Sequence, residues 1–185
     1  MVDGSGEDRH GIGRKVIHLN HIAYDCAIKK LLKDPRIRAM EKYAQHGDGN
    51  TLAHSLHVAR TAGRLASRMR LRVHENELAR GAMLHDFYLY STHDMKMSAY
   101  QHGTRHAEQA LKNASRHYDL TEIERDIIYS HMWPLNITHV PHCRESVLVT
   151  VADKYCAVVE FGRAFSRKMD KQVGRAKKAI MALAR

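Results

Sequence analysis

Apolar residues recur at helical spacing along most of the chain, and no segment alternates apolar and polar residues as a half-buried strand does. Asn50 or Thr51 can cap the most regular of these segments. Its apolar residues fall on one helix face: Leu52, Leu56, Ala59, Ala62, Leu65, Ala66 and Met69. A weaker helical pattern covers residues 16–32, and Asp34-Pro35 marks a further helix start. The pattern predicts an all-α domain.

One apolar helical run, residues 81–84 (GAML), leads directly into His85 and Asp86, and an aromatic run, residues 87–90 (FYLY), follows. We expect this helix to begin near His74 or Glu75. A carboxylate at the end of a buried helix is costly unless it has a partner or a metal. The adjacent imidazole offers a neutral nitrogen ligand, so the pair presents two donors to a divalent cation.

Two more helices are indicated after a polar, irregular segment at residues 91–101. The first runs through Ala107, Ala110 and Leu111. The second begins at a capping box formed by Thr121 and Glu124. Pro134 ends this second helix, and one of its faces carries Ile123, Ile127, Ile128 and His131.

Residues 145–161 are apolar nearly all round, which is typical of a buried helix, and Asp153 lies in their middle. A buried carboxylate must be paired, hydrogen-bonded or bound to a metal. Lys154 is adjacent along the chain, but neighbouring positions on a helix do not face each other. Asp153 is therefore a second candidate metal ligand.

Length and composition indicate one domain in a reducing compartment. The 185 residues suit a single domain with a substantial core, and no stretch approaches the roughly 18 apolar residues of a membrane span. The polar N-terminus does not resemble a signal peptide. Three cysteines (Cys26, Cys143 and Cys156) without C-x-x-C spacing favour the cytoplasm over a disulfide scaffold. Fifteen histidines make metal binding worth testing at each of them.

The net charge of +10 is unevenly distributed. Residues 162–185 carry +7 and residues 1–13 carry −2, which leaves +5 between them. We predict that residues 1–13 are disordered, that residues 14–161 form the domain, and that residues 162–185 form a basic amphipathic helix. Such a helix can bind a membrane surface or nucleic acid, but we favour packing on the parent domain or a partner subunit. Its apolar stripe is Phe161, Phe165, Met169, Val173, Ala176, Ile180 and Leu183.

Six residues share one property, which is a polar side chain on an otherwise apolar helix face. The gaps between them along the chain are long enough for different helices to supply them, and a helix-bundle interior is where such side chains can assemble a metal site. Four imidazoles and two carboxylates suit iron, manganese, zinc, cobalt or nickel. The six are His54, His85, Asp86, His106, His131 and Asp153.

These residues stand in motifs that resemble the HD superfamily of metal-dependent phosphohydrolases. The matching segments are residues 54–59 (HSLHVA), 82–86 (AMLHD) and 151–154 (VADK), within roughly residues 50–160. The chain looks most similar to a subgroup of uncharacterised bacterial members, through the aromatic run, residues 102–114 and residues 131–135 (HMWPL). The resemblance implies a bundle of five or more helices around the metal.

The resemblance also implies the ligands. Members with two further histidines before the last aspartate hold two ions, so one or two divalent ions are expected, with Asp86 bridging; the implied ligands are His54, His85, Asp86, His106, His131 and Asp153. Many relatives have proline after the third histidine, where this chain has Ala107, so His102 remains an alternative to His106. The Gly-Tyr-Pro signature of cyclic-dinucleotide phosphodiesterases is absent.

The implied reaction is hydrolysis of a phosphorylated small molecule or nucleotide by metal-activated water, with His85 and Asp86 catalytic. A bound divalent ion lowers the pKa of its water and polarises a phosphoryl oxygen. Basic residues near the mouth are candidates for binding the substrate phosphate: Arg105, Lys154, Lys96 and His102.

Two other functions are consistent with the same ligands. Some HD proteins with this ligand order are di-iron oxygenases. A non-catalytic nucleotide-sensing module could also retain the metal, although a structural site needs no open coordination position. Nucleic acid is not expected as a partner, and a homodimer is left open.

Overall fold

A computed structural model describes residues 19–45, 49–90 and 98–183 of the chain, without the side chains of residues 99, 100, 102, 176–180, 182 and 183. The predicted disorder of residues 1–13 and the candidate Lys96 lie outside these ranges. The described residues form helices and no strand, which confirms the all-α class. The helices are α1 (His21–Leu31), α2 (Pro35–Arg38), α3 (Thr51–Arg68), α4 (Glu75–Leu84), α5 (Ala99–His117), α6 (Glu122–Ser130) and α7 (Arg144–Leu183), with a 3-10 helix at Ala39–Lys42.

Short polar side chains start these helices where the sequence predicts. Asp34 caps α2 ahead of Pro35, and Asn50, rather than Thr51, caps α3 by accepting from the Ala53 amide. The predicted capping box of Thr121 and Glu124 is present at α6. A second capping box, Ser98 with Gln101, starts α5 inside the segment expected to be irregular, so that helix begins earlier than predicted.

Helix α4 lies at the centre of the bundle and contacts α1, α3, α6 and α7. All of its apolar side chains from Leu78 to Leu84 are buried. The apolar face predicted for α3 is buried or partly buried except at Met69, which follows the helix and is exposed. The position of α4 places the two residues that follow it, His85 and Asp86, in the interior.

Helix α7 differs most from the prediction. It is one continuous helix of 40 residues, and only one face of its first half is buried, through residues such as Leu148 and Ala152. Val151 and Val158 on the opposite face are 53% and 71% exposed, so the expectation of burial all round is wrong. Phe165 is 67% exposed, so the described part of the tail stripe does not pack on the parent domain, and packing on a partner subunit stays a prediction. Among the described residues, no helix combines the length and the apolarity needed to span a bilayer.

Candidate metal centre

Two of the predicted ligands occupy the same kind of position, directly after the last residue of a helix. His85 follows α4 and His131 follows α6. The Nδ1 of His85 lies 2.8 Å from the Ala82 carbonyl, and the Nδ1 of His131 lies 2.8 Å from the Ile128 carbonyl. A carbonyl oxygen only accepts, so both Nδ1 atoms must carry the proton. In the neutral form of each ring, Nε2 therefore presents a lone pair to the interior.

Asp86 lies between two pairs of imidazoles. Its Oδ2 is 3.4 Å from His85 Nε2 and 3.8 Å from His54 Nε2. Its Oδ1 is 3.2 Å from His106 Nε2 and 3.5 Å from His131 Nε2. Each carboxylate oxygen thus faces one pair of histidines, which is the arrangement of a carboxylate shared by two ligand groups.

Asp153 joins the first of these groups from α7. Its Oδ1 is 3.0 Å from His54 Nε2 and 3.8 Å from His85 Nε2. Its Oδ2 accepts a hydrogen bond of 2.8 Å from Lys154 Nζ, and the same Nζ donates to the His131 carbonyl. The argument that adjacent helix positions do not face each other fails here, because the long lysine side chain folds back to its neighbour.

The residues brought together form two buried groups that could each hold an ion: His54, His85 and Asp86, and Asp86, His106 and His131. Two ligand atoms on one ion at about 2.0–2.2 Å are about 3 to 3.5 Å apart, close to the separations seen here. In the described part of the chain, His85 Nε2 and Asp86 Oδ1 are buried without a hydrogen bond. A cation between these facing lone pairs would satisfy both atoms. The donor set therefore fits a divalent metal.

Electrostatics in the cluster favour ionised carboxylates at Asp86 and Asp153 and a neutral imidazole at His131. Burial alone would raise the pKa of Asp86, but the facing His85 and His106 outweigh it and hold the pKa well below its usual range. Burial alone would also raise the pKa of Asp153, but the hydrogen bond from His54 and the charge of Lys154 outweigh burial and lower it. Burial, together with repulsion from His85 and His106, lowers the pKa of His131. Anionic oxygen and neutral nitrogen are the forms in which these groups bind metals.

His54 is held from both sides. Burial lowers its pKa, but hydrogen bonds to Asp153 and Glu160 outweigh burial and raise the pKa to about 10. Glu160 accepts from His54 Nδ1 and from His57 Nδ1, each at 2.9 Å. A carboxylate that fixes the outer nitrogen of a histidine orients its inner nitrogen toward a metal. A metal at the inner position would replace the proton of His54 Nε2.

Sequence reasoning missed Glu160 and Gln45. Gln45 Nε2 donates to Asp86 Oδ2 over 2.7 Å, and its Oε1 accepts from the Tyr88 hydroxyl over 2.7 Å. Glu160 stands seven residues after Asp153, two helical turns along the same face, and this spacing is a signal that could have found it. Gln45 lies in an irregular segment and carries no such signal.

The remaining candidates occupy different places. The structure places His106 in the cluster, whereas the side chain of the alternative ligand, His102, lies outside the described part of the chain. Arg105 is exposed and lines a cavity of about 870 Å³ beside Tyr88. A smaller cavity of about 320 Å³ reaches the centre itself, and its walls include His54, His57, Glu160, Arg163 and Arg167.

A known protein family matches the part of the chain that carries the proposed ligands. The family model described as HD domain matches residues 51–158, more than half of the chain, and this range contains all six proposed ligands. No curated protein and no solved structure is significantly similar to the chain. The chain belongs to the HD domain family, whose members include metal-dependent phosphohydrolases.

Proposed function

We propose that this protein is a metal-dependent phosphohydrolase that acts on a phosphorylated small molecule or nucleotide. The observation that carries the proposal is the sharing of Asp86 by two buried ligand groups, one on each carboxylate oxygen. A pair of sites bridged in this way suits chemistry at a phosphoryl centre, where attacking and leaving oxygens both need stabilisation. The donor set supports one or two ions of iron, manganese, zinc, cobalt or nickel.

When bound, such ions supply a water of lowered pKa and positive charge beside a phosphoryl oxygen. The chain supplies the rest of the site. His85 and His131 are fixed by helix-end carbonyls, so their Nε2 atoms need no reorientation to bind. Gln45 restrains Asp86 through Oδ2. These contacts hold the proposed metal-binding side chains in place before an ion binds, which lowers the free-energy cost of assembling the site.

Cations around the centre suit an anionic substrate. Arg105 on α5 and Lys96 remain candidates for contact with the substrate phosphate, as does His102. Lys154 is engaged with Asp153 and with the His131 carbonyl. We therefore assign Lys154 the role of holding a proposed ligand, and its partial exposure still leaves its charge close to the centre.

The test combines metal content with a substrate panel. Protein purified without chelator should contain transition metal by elemental analysis and should hydrolyse a phosphate monoester, diester or nucleotide. Asp86→Asn should reduce turnover at least about 10³-fold, a loss of about 4 kcal/mol of transition-state stabilisation. His131→Ala should lower the metal stoichiometry while one ion stays bound, since it belongs to only one of the two groups.

His142→Ala is the matched control. It changes an exposed histidine that pairs with Asp126 and belongs to neither ligand group, so it should leave both metal content and turnover unchanged. Metal-loaded protein that is inert across the panel, yet consumes oxygen with an organic substrate, would replace the hydrolase with a di-iron oxygenase. Metal-loaded protein inert in both assays would favour the non-catalytic sensing module.

A further inference from the structure

An apolar stripe runs along the solvent side of α7 from Val147 to Val173. At about 100° per residue, its members lie within a sector of about 80°. Seven large side chains of the stripe are between 44% and 71% exposed, and Gly162 has open space around its Cα. The seven are Val147, Val151, Tyr155, Val158, Phe165, Met169 and Val173.

The other side of α7 changes character halfway along. In the first half it packs into the core through residues such as Val149 and Cys156. In the second half the same side carries Arg163, Arg167 and Lys171. Arg163 and Arg167 still line the cavity at the centre, but residues 168–173 are all exposed. The helix beyond Arg167 therefore does not lie on its own domain, whereas the apolar stripe continues from the first half into the second.

This helix needs a partner on energetic grounds. Residues 161–183 extend about 35 Å along the helix axis, and side chains from 165 to 173 are exposed on every side. Most of the stability of a helix in a protein comes from the packing of its apolar face rather than from helix propensity. The exposed stripe offers about 700 Å² per chain, on ordinary areas for such side chains, and a stable interface buries about 800 Å² per partner. The stripe, together with the side chains that flank it, is therefore of the size that a dimer needs.

We propose that α7 pairs with α7 of a second copy of this chain, antiparallel, about a two-fold axis at Gly162. Because Gly162 has no side chain, the two helices can approach closely where they cross. In this register Tyr155 faces Met169 of the second copy, and Val151 faces Val173. Each contact then occurs twice, as two-fold symmetry requires.

Charge selects the antiparallel direction. Residues 162–183 carry a net charge of +6, and a parallel pair would place the two basic segments side by side. The antiparallel pair instead places each basic segment beside residues 145–161 of the other copy, which carry one cation, Lys154, and three acids. Like charges at close range are disfavoured in helix pairs. The direction follows from this difference.

A membrane surface fits the stripe less well. A helix that lies on a bilayer has a broad apolar face and basic residues along its length, whereas this sector is as narrow as a coiled-coil seam. The half of the stripe from Val147 to Val158 is flanked by a single cation, Lys154, which is paired with Asp153.

The first test is the mass of the protein in solution. Light scattering should give about twice the chain mass of 21.2 kDa. Phe165→Asp should shift the protein to monomer with at least about a 100-fold weaker dimer affinity, because it buries a charge in the seam. Lys171→Asp, on the opposite side of the helix, should stay dimeric. A monomeric wild type, a dimer that survives Phe165→Asp, or monomeric protein that binds anionic phosphatidylserine vesicles or nucleic acid through the stripe would overturn the proposal.

The second test fixes direction and register by disulfide formation, in a background of Cys26→Ser and Cys143→Ser. Gly162→Cys should cross-link to itself. Val151→Cys alone should not, whereas an equal mixture of Val151→Cys and Val173→Cys chains should give the mixed disulfide. Self-cross-linking of Val151→Cys would show a parallel pair and would refute the assigned direction.

Discussion

Gly81→Ala tests whether the packing of α4 on α6 sets the geometry of the centre. A Cβ added at Gly81 would lie 2.5 Å from Ile127 Cδ1 and 3.0 Å from Ile127 Cβ and Cγ2. The Cδ1 contact can be relieved by a rotamer change. The Cβ of Ile127 is fixed to the α6 backbone, so the two helices must separate by a few tenths of an ångström.

The expected cost is the balance of two effects. Overpacking of a core costs about 1–3 kcal/mol, and alanine in place of a helical glycine returns about 1 kcal/mol. Because all three contacts are at or below 3.0 Å, the overpacking cost should lie in the upper half of its range, at about 2–3 kcal/mol, and the net loss in the free energy of unfolding should be about 1–2 kcal/mol. Because His85 and Asp86 directly follow α4 and His131 directly follows α6, the same separation should also weaken metal binding.

Urea unfolding of the metal-free protein measures the first effect, and competition with a chelator measures the second. Gly174→Ala is the matched control, since nothing lies within 4 Å of a Cβ there, and it should leave the core unchanged or stabilise the helix slightly. Adding Ile127→Val to Gly81→Ala removes Cδ1 and should recover part of the loss. A Gly81→Ala protein as stable as the wild type, with equal metal affinity, would refute this reasoning.

Two further changes test the surroundings of the centre and of α7. Glu160→Gln should weaken metal binding about 10–100-fold, because a single amide oxygen cannot accept hydrogen bonds from both imidazoles. His57→Ala leaves the Glu160–His54 contact in place and should weaken metal binding less. Equal effects of the two variants in a chelator competition would argue against the role assigned to Glu160. Asp126 accepts hydrogen bonds at the start of α7, and although burial raises its pKa, bonds from Ser146 and His142 lower it below the usual value. Its stabilisation should therefore be complete above about pH 4 and be lost as the pH falls through the lowered folded pKa. Asp126→Asn should cost about 1–2 kcal/mol at pH 7 in urea unfolding, and the cost should decrease as the pH falls below about 4. A cost that does not vary with pH would contradict the assignment.

The fold class and the convergence of the six candidate residues could be predicted because both depend on apolar periodicity. A polar residue on an apolar helix face must point inward, so His54, Asp86 and Asp153 are visible from the chain alone. Gln45 and Glu160 are different. Gln45 contacts a residue 41 positions away and Glu160 one 106 positions away, and only the packed bundle brings either pair together.

The burial of α7 could not be predicted, for a related reason. A helix that is apolar all round must be covered on all sides, but the pattern does not say which molecule covers each side. The domain covers Leu148 and Cys156 and leaves Val151 and Tyr155 exposed. The periodicity therefore predicts that these side chains are covered but not which molecule covers them. The proposed pairing of α7 assigns the exposed side to a second copy of the chain.

The helix ends explain why fold and site are so closely linked here. A helix leaves its last carbonyls without intrahelical partners, and an imidazole placed just after the helix can use one of them. That hydrogen bond settles the tautomer and the direction of the free nitrogen at His85 and at His131. The distance between the two Nε2 atoms is then set by how α4 lies against α6, and these helices pack closely at Gly81, where an added Cβ would meet Ile127. Gly81, which has no side chain, thus controls the spacing of the proposed metal ligands one helical turn away.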